Sequence, residues 1–117
     1  PADFVSVVDR AAEAALAEII ATQLPDATLL AEEGTPDASI TRGITVVADP
    51  LDGTTNFLHG FPWYATSVGV LVDGILTAGA VVNAATGETF VAHAGGGAHR
   101  VAADNSTSAI HVSSIRE

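Results

Sequence analysis

The chain has 117 residues, a formal net charge of −10, and four Lys plus Arg against fourteen Asp plus Glu. That balance disfavours a nucleic-acid surface, which needs clustered cations, and it disfavours an anionic membrane face. With no cysteine, disulfides, thiolate zinc sites and cysteine nucleophiles are excluded.

Length predicts one domain, and a hydrophobic content of 48% predicts a folded globule. A chain of this size is expected to bury roughly two-thirds of its unfolded surface, enough for a core. Residues 4–24 carry apolar side chains at helical spacing, and Leu24-Pro25-Asp26 ends that helix. Thr28-Leu29-Leu30-Ala31 is a short strand, and residues 32–43 read as loop. Ile44-Thr45-Val46-Val47-Ala48 is apolar and β-branched, a buried strand that Pro50 stops. A short helix runs from Thr54 to about Leu58. Residues 64–72 and 75–82 form a hairpin on Asp73-Gly74, a strong hairpin signal. Thr86-Gly87 turns into a strand over residues 89–92, Gly95-Gly96-Gly97 is a flexible loop, and a last strand covers residues 110–113. The order predicts an α+β domain with helix packed on an antiparallel meander. No run of about eighteen apolar residues predicts a membrane span, and no signal peptide is visible. A cytoplasmic location is the expectation.

The run Asp49-Pro50-Leu51-Asp52-Gly53-Thr54-Thr55-Asn56-Phe57 carries the chemistry. It sets two carboxylates three residues apart on a rigid turn, the oxygen ligands a hard cation such as Mg2+ takes. Gly53 lets the backbone approach a ligand closely, and Thr54 and Thr55 bring hydroxyls and N–H groups to the start of a helix, where an anion is favoured. An isolated Asp-Pro-x-Asp-Gly is most often a plain surface turn. Here a strongly apolar strand precedes it, Thr-Thr-Asn-Phe follows it, and a second acidic pair, Glu32-Glu33, lies upstream.

These residues resemble the inositol monophosphatase family of Mg2+-dependent, lithium-sensitive sugar-phosphate phosphatases. The resemblance rests on Ala31-Glu32-Glu33-Gly34, on the run from Asp49 to Phe57, and on Leu58-His59-Gly60-Phe61-Pro62-Trp63-Tyr64-Ala65-Thr66-Ser67-Val68-Gly69. A weaker match is Asp3-Phe4-Val5-Ser6-Val7-Val8-Asp9. It implies the N-terminal half of an αβαβα sandwich of the inositol monophosphatase and fructose-bisphosphatase type. It implies two or three Mg2+ ions, with Mn2+ as a substitute and Li+ as an inhibitor. Glu32 and Asp49 would share the first ion, with the Leu51 carbonyl and Thr54 hydroxyl near it, and Asp49 and Asp52 would hold the second. Thr54, backed by Asp9, would orient or deprotonate the attacking water, which makes Glu32, Thr54 and Asp9 the implied catalytic residues. Asp52, Gly53, Thr54 and Thr55 would bind the phosphate.

Glu32 and Glu33 are ordinary as solvated loop charges, and Asp9 as a surface salt-bridge partner. His59, His93, His99 and His111 lack zinc spacing, Trp63 and Tyr64 read as packing residues beside the motif, and the Gly95–Gly97 run lacks the Lys-Ser/Thr of a P-loop.

The family pattern is more than twice this length, with another metal-binding Asp and most substrate contacts in its second half. Residues 1–117 are therefore expected to form a single N-terminal metal- and phosphate-binding domain of a larger phosphatase. The implied function is hydrolysis of inositol monophosphate or a related sugar phosphate, completed by the C-terminal half. A small-molecule phosphate ester is the expected partner, and the resemblance leaves room for a homodimer through the longer parent. Competing readings are a nucleotide 3′-phosphatase, a histidinol-phosphatase, a fructose-bisphosphatase relative, or a non-catalytic metal-binding module. Intact Glu32, Asp49, Asp52 and Thr54 argue against the last.

Overall fold

A computed structural model describes residues 2–31 and 42–116. The apolar helical spacing at the start forms α1 (Ala2–Gln23), and Ile20 is its buried contact. The helix closes where Leu24 N–H donates to the Ile20 carbonyl and Pro25 follows. Seven strands come after it in chain order: β1 (Thr28–Ala31), β2 (Ile44–Asp52), β3 (Ala65–Val72), β4 (Ile75–Asn83), β5 (Glu88–His93), β6 (Gly97–Val101) and β7 (Thr107–Ile110). A five-residue helix, α2 (Thr54–Leu58), stands between β2 and β3.

The strands form one sheet in sequence order. From β2 to β7 every neighbour is antiparallel, as a chain of hairpins dictates, while β1 runs parallel to β2. The sheet is therefore mixed at one edge, where an all-antiparallel meander is the sequence expectation. Asp73 and Gly74 both take positive φ, 51° and 79°, which gives the β3–β4 hairpin the tight turn that matches strand twist.

Three other expectations are corrected. Pro50 does not stop β2: the strand continues to Asp52 because a bulge absorbs the missing N–H. The glycine run is only partly loop, since Gly97 opens β6, a strand whose pairing with β5 supplies the order its composition lacks. The last strand lies at Thr107–Ile110, with residues 111–113 outside it, because register with β6 ends at Ala98–Ile110.

The core is thinner than length alone suggests. Val46, Ala48 and Leu51 of β2 are buried with Ile20, and Thr45 is buried beside them. The reason is coverage: α1 meets β1, β2 and α2, and among the described residues no second helix lies over β4 to β7. Ile75 and Leu76 are accordingly 70% and 67% exposed. No helix among the described residues is long and apolar enough to cross a membrane.

Candidate active site

In a regular strand, residues three apart point to opposite faces of the sheet. Asp49 and Asp52 escape that rule. Asp49 pairs with Ser67 and Asp52 with Ala65, so two residues of β2, Pro50 and Leu51, stand opposite the single residue Thr66. Ser67 and Ala65 are two apart on β3 and share a face. Asp49 and Asp52 therefore share it too, and the one-residue bulge is what brings them round. The Asp49 carboxylate also folds onto its own backbone, its Oδ1 accepting the Leu51 N–H at 3.2 Å. Leu51 itself is buried, so the turn is anchored from below.

Gly53 follows with φ 86° and ψ 40°, a left-handed conformation that suits glycine. Its carbonyl accepts the Phe57 N–H at 3.0 Å and opens α2 with Thr54 and Thr55 in the first turn. The space at Gly53 is taken by its own chain: a Cβ there would lie 2.9 Å from the Trp63 carbonyl oxygen. Asn56 Nδ2 donates to the same oxygen at 2.8 Å, and His59 Nδ1 contacts the Thr55 carbonyl at 2.8 Å. Phe57 and Tyr64 meet edge to face with centroids 5.1 Å apart. Tyr64 is thus the packing residue expected of it. Trp63 is not: the residue is 67% exposed, and what the loop uses is its backbone carbonyl.

Of the expected site residues, Asp49, Leu51, Asp52, Gly53, Thr54 and Thr55 come together on one strand–turn–helix corner. Asp9 is half-buried on α1, the helix that meets β2 and α2. Glu32 and Glu33 lie outside the described residues. Among the described residues no group of three or more His, Cys, Asp or Glu gathers to hold a metal. The corner nevertheless offers oxygen alone, two carboxylates and a carbonyl, which is the donor chemistry Mg2+ takes. A cavity of about 430 Å³ opens at Asp52, lined by Asn56, Tyr64, Asn83, Glu88 and Phe90. His59, His93 and His111 are exposed and His99 half-buried, in keeping with surface or structural roles.

Sequence reasoning missed Thr66, whose Oγ1 donates to the Pro50 carbonyl at 2.9 Å inside the bulge, and the Asn56–Trp63 bond that closes the following loop. A threonine in a β-rich run carries no signal for the first. Asn56 directly after two threonines in a helix start was the visible hint for the second.

Comparison with known proteins places this corner in context. The sequence model of the inositol monophosphatase family matches residues 1–115. An inositol-1-monophosphatase of Rhizobium meliloti is 43% identical over 98 residues, which cover 84% of this chain and 37% of that protein. The solved structure of Mycobacterium tuberculosis SuhB superposes with a TM-score of 0.84 at 36% identity, covering 97% of this chain and 42% of that one. That of inositol monophosphatase-II from Staphylococcus aureus superposes with a TM-score of 0.80 at 36% identity, covering 84% and 37%. The chain thus spans well under half the length of the relatives it matches.

Proposed function

This chain belongs to the inositol monophosphatase family, and from that premise we propose that it carries the metal- and phosphate-binding part of a phosphoric monoester hydrolase. The substrate class is inositol monophosphate or a related sugar phosphate. The observation that carries the reading is the bulge that sets Asp49 and Asp52 on one face directly before Gly53 and Thr54.

In this proposal Asp49, Asp52 and the Leu51 carbonyl hold Mg2+, with Glu32 as a further ligand. Bound Mg2+ would polarise the phosphoryl oxygens and offset the charge that develops on them. The chain's own groups do the rest. The backbone N–H groups of Gly53 and Thr54 orient the phosphate, and the small dipole of a five-residue helix adds modestly to that. The Thr54 hydroxyl, backed by Asp9, holds the attacking water in line with the bond to be broken. Water adds to phosphorus as the P–O bond to the sugar alcohol breaks, and the products are the alcohol and inorganic phosphate.

The test is phosphate release from inositol 1-phosphate by this chain supplied together with the C-terminal half that the reading calls for, with and without Mg2+, alongside Asp52→Asn. Release that needs Mg2+ and disappears in the variant is expected. Release that survives either change rejects the proposal.

A further inference from the structure

At the bulge, the backbone groups of Pro50 and Leu51 leave the regular β2–β3 ladder, and a buried polar group that leaves a ladder needs another partner. Leu51 N–H finds the Asp49 carboxylate at 3.2 Å. Pro50 has no N–H to place, and the residue is buried. Its carbonyl finds the hydroxyl of Thr66 at 2.9 Å, a part-buried bond. Thr66 lies between Ala65 and Ser67, the residues that face Asp52 and Asp49. Its side chain therefore roots on the other face of the sheet and reaches the bulge without entering the site.

We propose that Thr66 is a positioning residue: its hydroxyl pins the Pro50 carbonyl and so holds Asp49 and Asp52 on the same face. The inference rests on the reading of that pair as a divalent-cation site. The competing arrangement is a regular register in which Asp52 turns to the opposite face, because a one-residue slip inverts every side chain beyond it. The Thr66 bond belongs to the bulged arrangement, since it meets the carbonyl of a residue that falls within the register shift between Asp49 and Asp52. Asp49 Oδ1 supports one side of the bulge at the Leu51 N–H, and Thr66 supports the other at the Pro50 carbonyl.

The experiment is Mn2+ titration of the intact chain, read by paramagnetic broadening of the amides at Asp52, Gly53 and Thr54. Four variants are compared: Thr66→Val, which keeps the shape and drops the hydroxyl; Thr66→Ser, which restores it; Val68→Ala, which thins packing on the same strand and face; and Asp49→Asn. Thr66→Val is expected to weaken Mn2+ binding about tenfold, the effect of removing an outer-shell support. Thr66→Ser should bind like the parent, and Val68→Ala should lower the melting temperature with Mn2+ affinity unchanged. Parental affinity in Thr66→Val, with binding lost in Asp49→Asn, overturns the role of Thr66 and leaves the cation pair standing. Parental affinity in Asp49→Asn overturns the pair, and the inference with it. Where Thr66→Val is too unstable to titrate, cross-strand NMR contacts in Thr66→Ala decide: Asp52 still opposite Ala65 overturns the proposal, and a shifted register supports it.

Discussion

Gly53 and the Trp63 carbonyl face each other so closely that a Cβ on Gly53 would fall 2.9 Å from that oxygen. The contact ties the corner bearing Asp49 and Asp52 to the end of the loop after α2, and Asn56 locks it by donating to the same oxygen. Gly53→Ala meets two costs at once. The left-handed backbone alone costs about 1–2 kcal/mol for a residue with a Cβ, and the close approach adds to that. Urea denaturation should show a loss at the upper end of this range or beyond. A variant as stable as the parent would show that the loop gives way freely and that Gly53 is not what closes it.

Asp73 does two jobs in the β3–β4 turn. It adopts φ 51°, and its Oδ1 accepts the Gly43 N–H at 2.8 Å while its own N–H donates to the Gly43 carbonyl at 2.9 Å. The hairpin tip is thereby fastened to the start of β2. Asp73→Asn keeps the backbone preference and an acceptor oxygen, so it should be nearly neutral. Asp73→Gly loses only the side-chain bond, and Asp73→Ala loses the bond and strains the backbone, for a total of about 1–3 kcal/mol. The expected order of stability is Asn, Gly, Ala; Ala equal to Asn would contradict it.

Local chemistry with a short range was legible from the residues. The ends of β1, the five residues of α2 and the Asp73-Gly74 turn follow from short apolar runs bounded by turn residues and from turn dipeptides, and they stand where those signals put them. What was not legible depends on pairing across strands. Pro50 reads as a strand end because a proline removes a ladder donor, and only the register with β3 reveals the bulge that accommodates it. The β6 strand, Gly97-Ala98-His99-Arg100-Val101, has weak strand propensity at its glycine end and exists through its neighbours β5 and β7. At the candidate site, residue identities were visible, but the shared face of Asp49 and Asp52 was not. Their spacing of three argues against it in any regular strand.

Arg100 Nε lies 2.6 Å from Glu88 Oε2, joining β5 to β6 on the face that also carries Asp52. Both side chains are partly open to solvent, at 41% and 28% exposure, so screening trims the attraction. A double-mutant cycle with Arg100→Met and Glu88→Gln should give a coupling of about 0.2–1 kcal/mol. It should shrink as salt rises, since exposed pairs are screened. A coupling that ignores salt would mean that the pair acts through packing of the Arg100 stem rather than through charge.

The β6–β7 hairpin carries a built-in acid sensitivity. Asn105 takes φ 69°, Asn105 N–H donates to the Ala102 carbonyl, and Asp104 Oδ1 accepts the Ser106 N–H at 2.9 Å. Hydrogen bonds from Ser106, its side chain first and its backbone second, hold the Asp104 carboxyl below the ordinary 3.8. A carboxylate favoured in the folded chain is protonated first in the unfolded one as pH drops. Its contribution is therefore present above the ordinary carboxylate value and fades as pH falls through the lower, folded value. Ser106→Ala removes the leading cause, so the Asp104 carboxyl should titrate nearer 3.8 when followed by carboxyl 13C shifts. Asp104→Asn should flatten the acid limb of hairpin stability, read by amide exchange at residues 107–110. An Asp104 titration that does not move in Ser106→Ala would show that the turn geometry, and not the Ser106 side chain, sets its acidity.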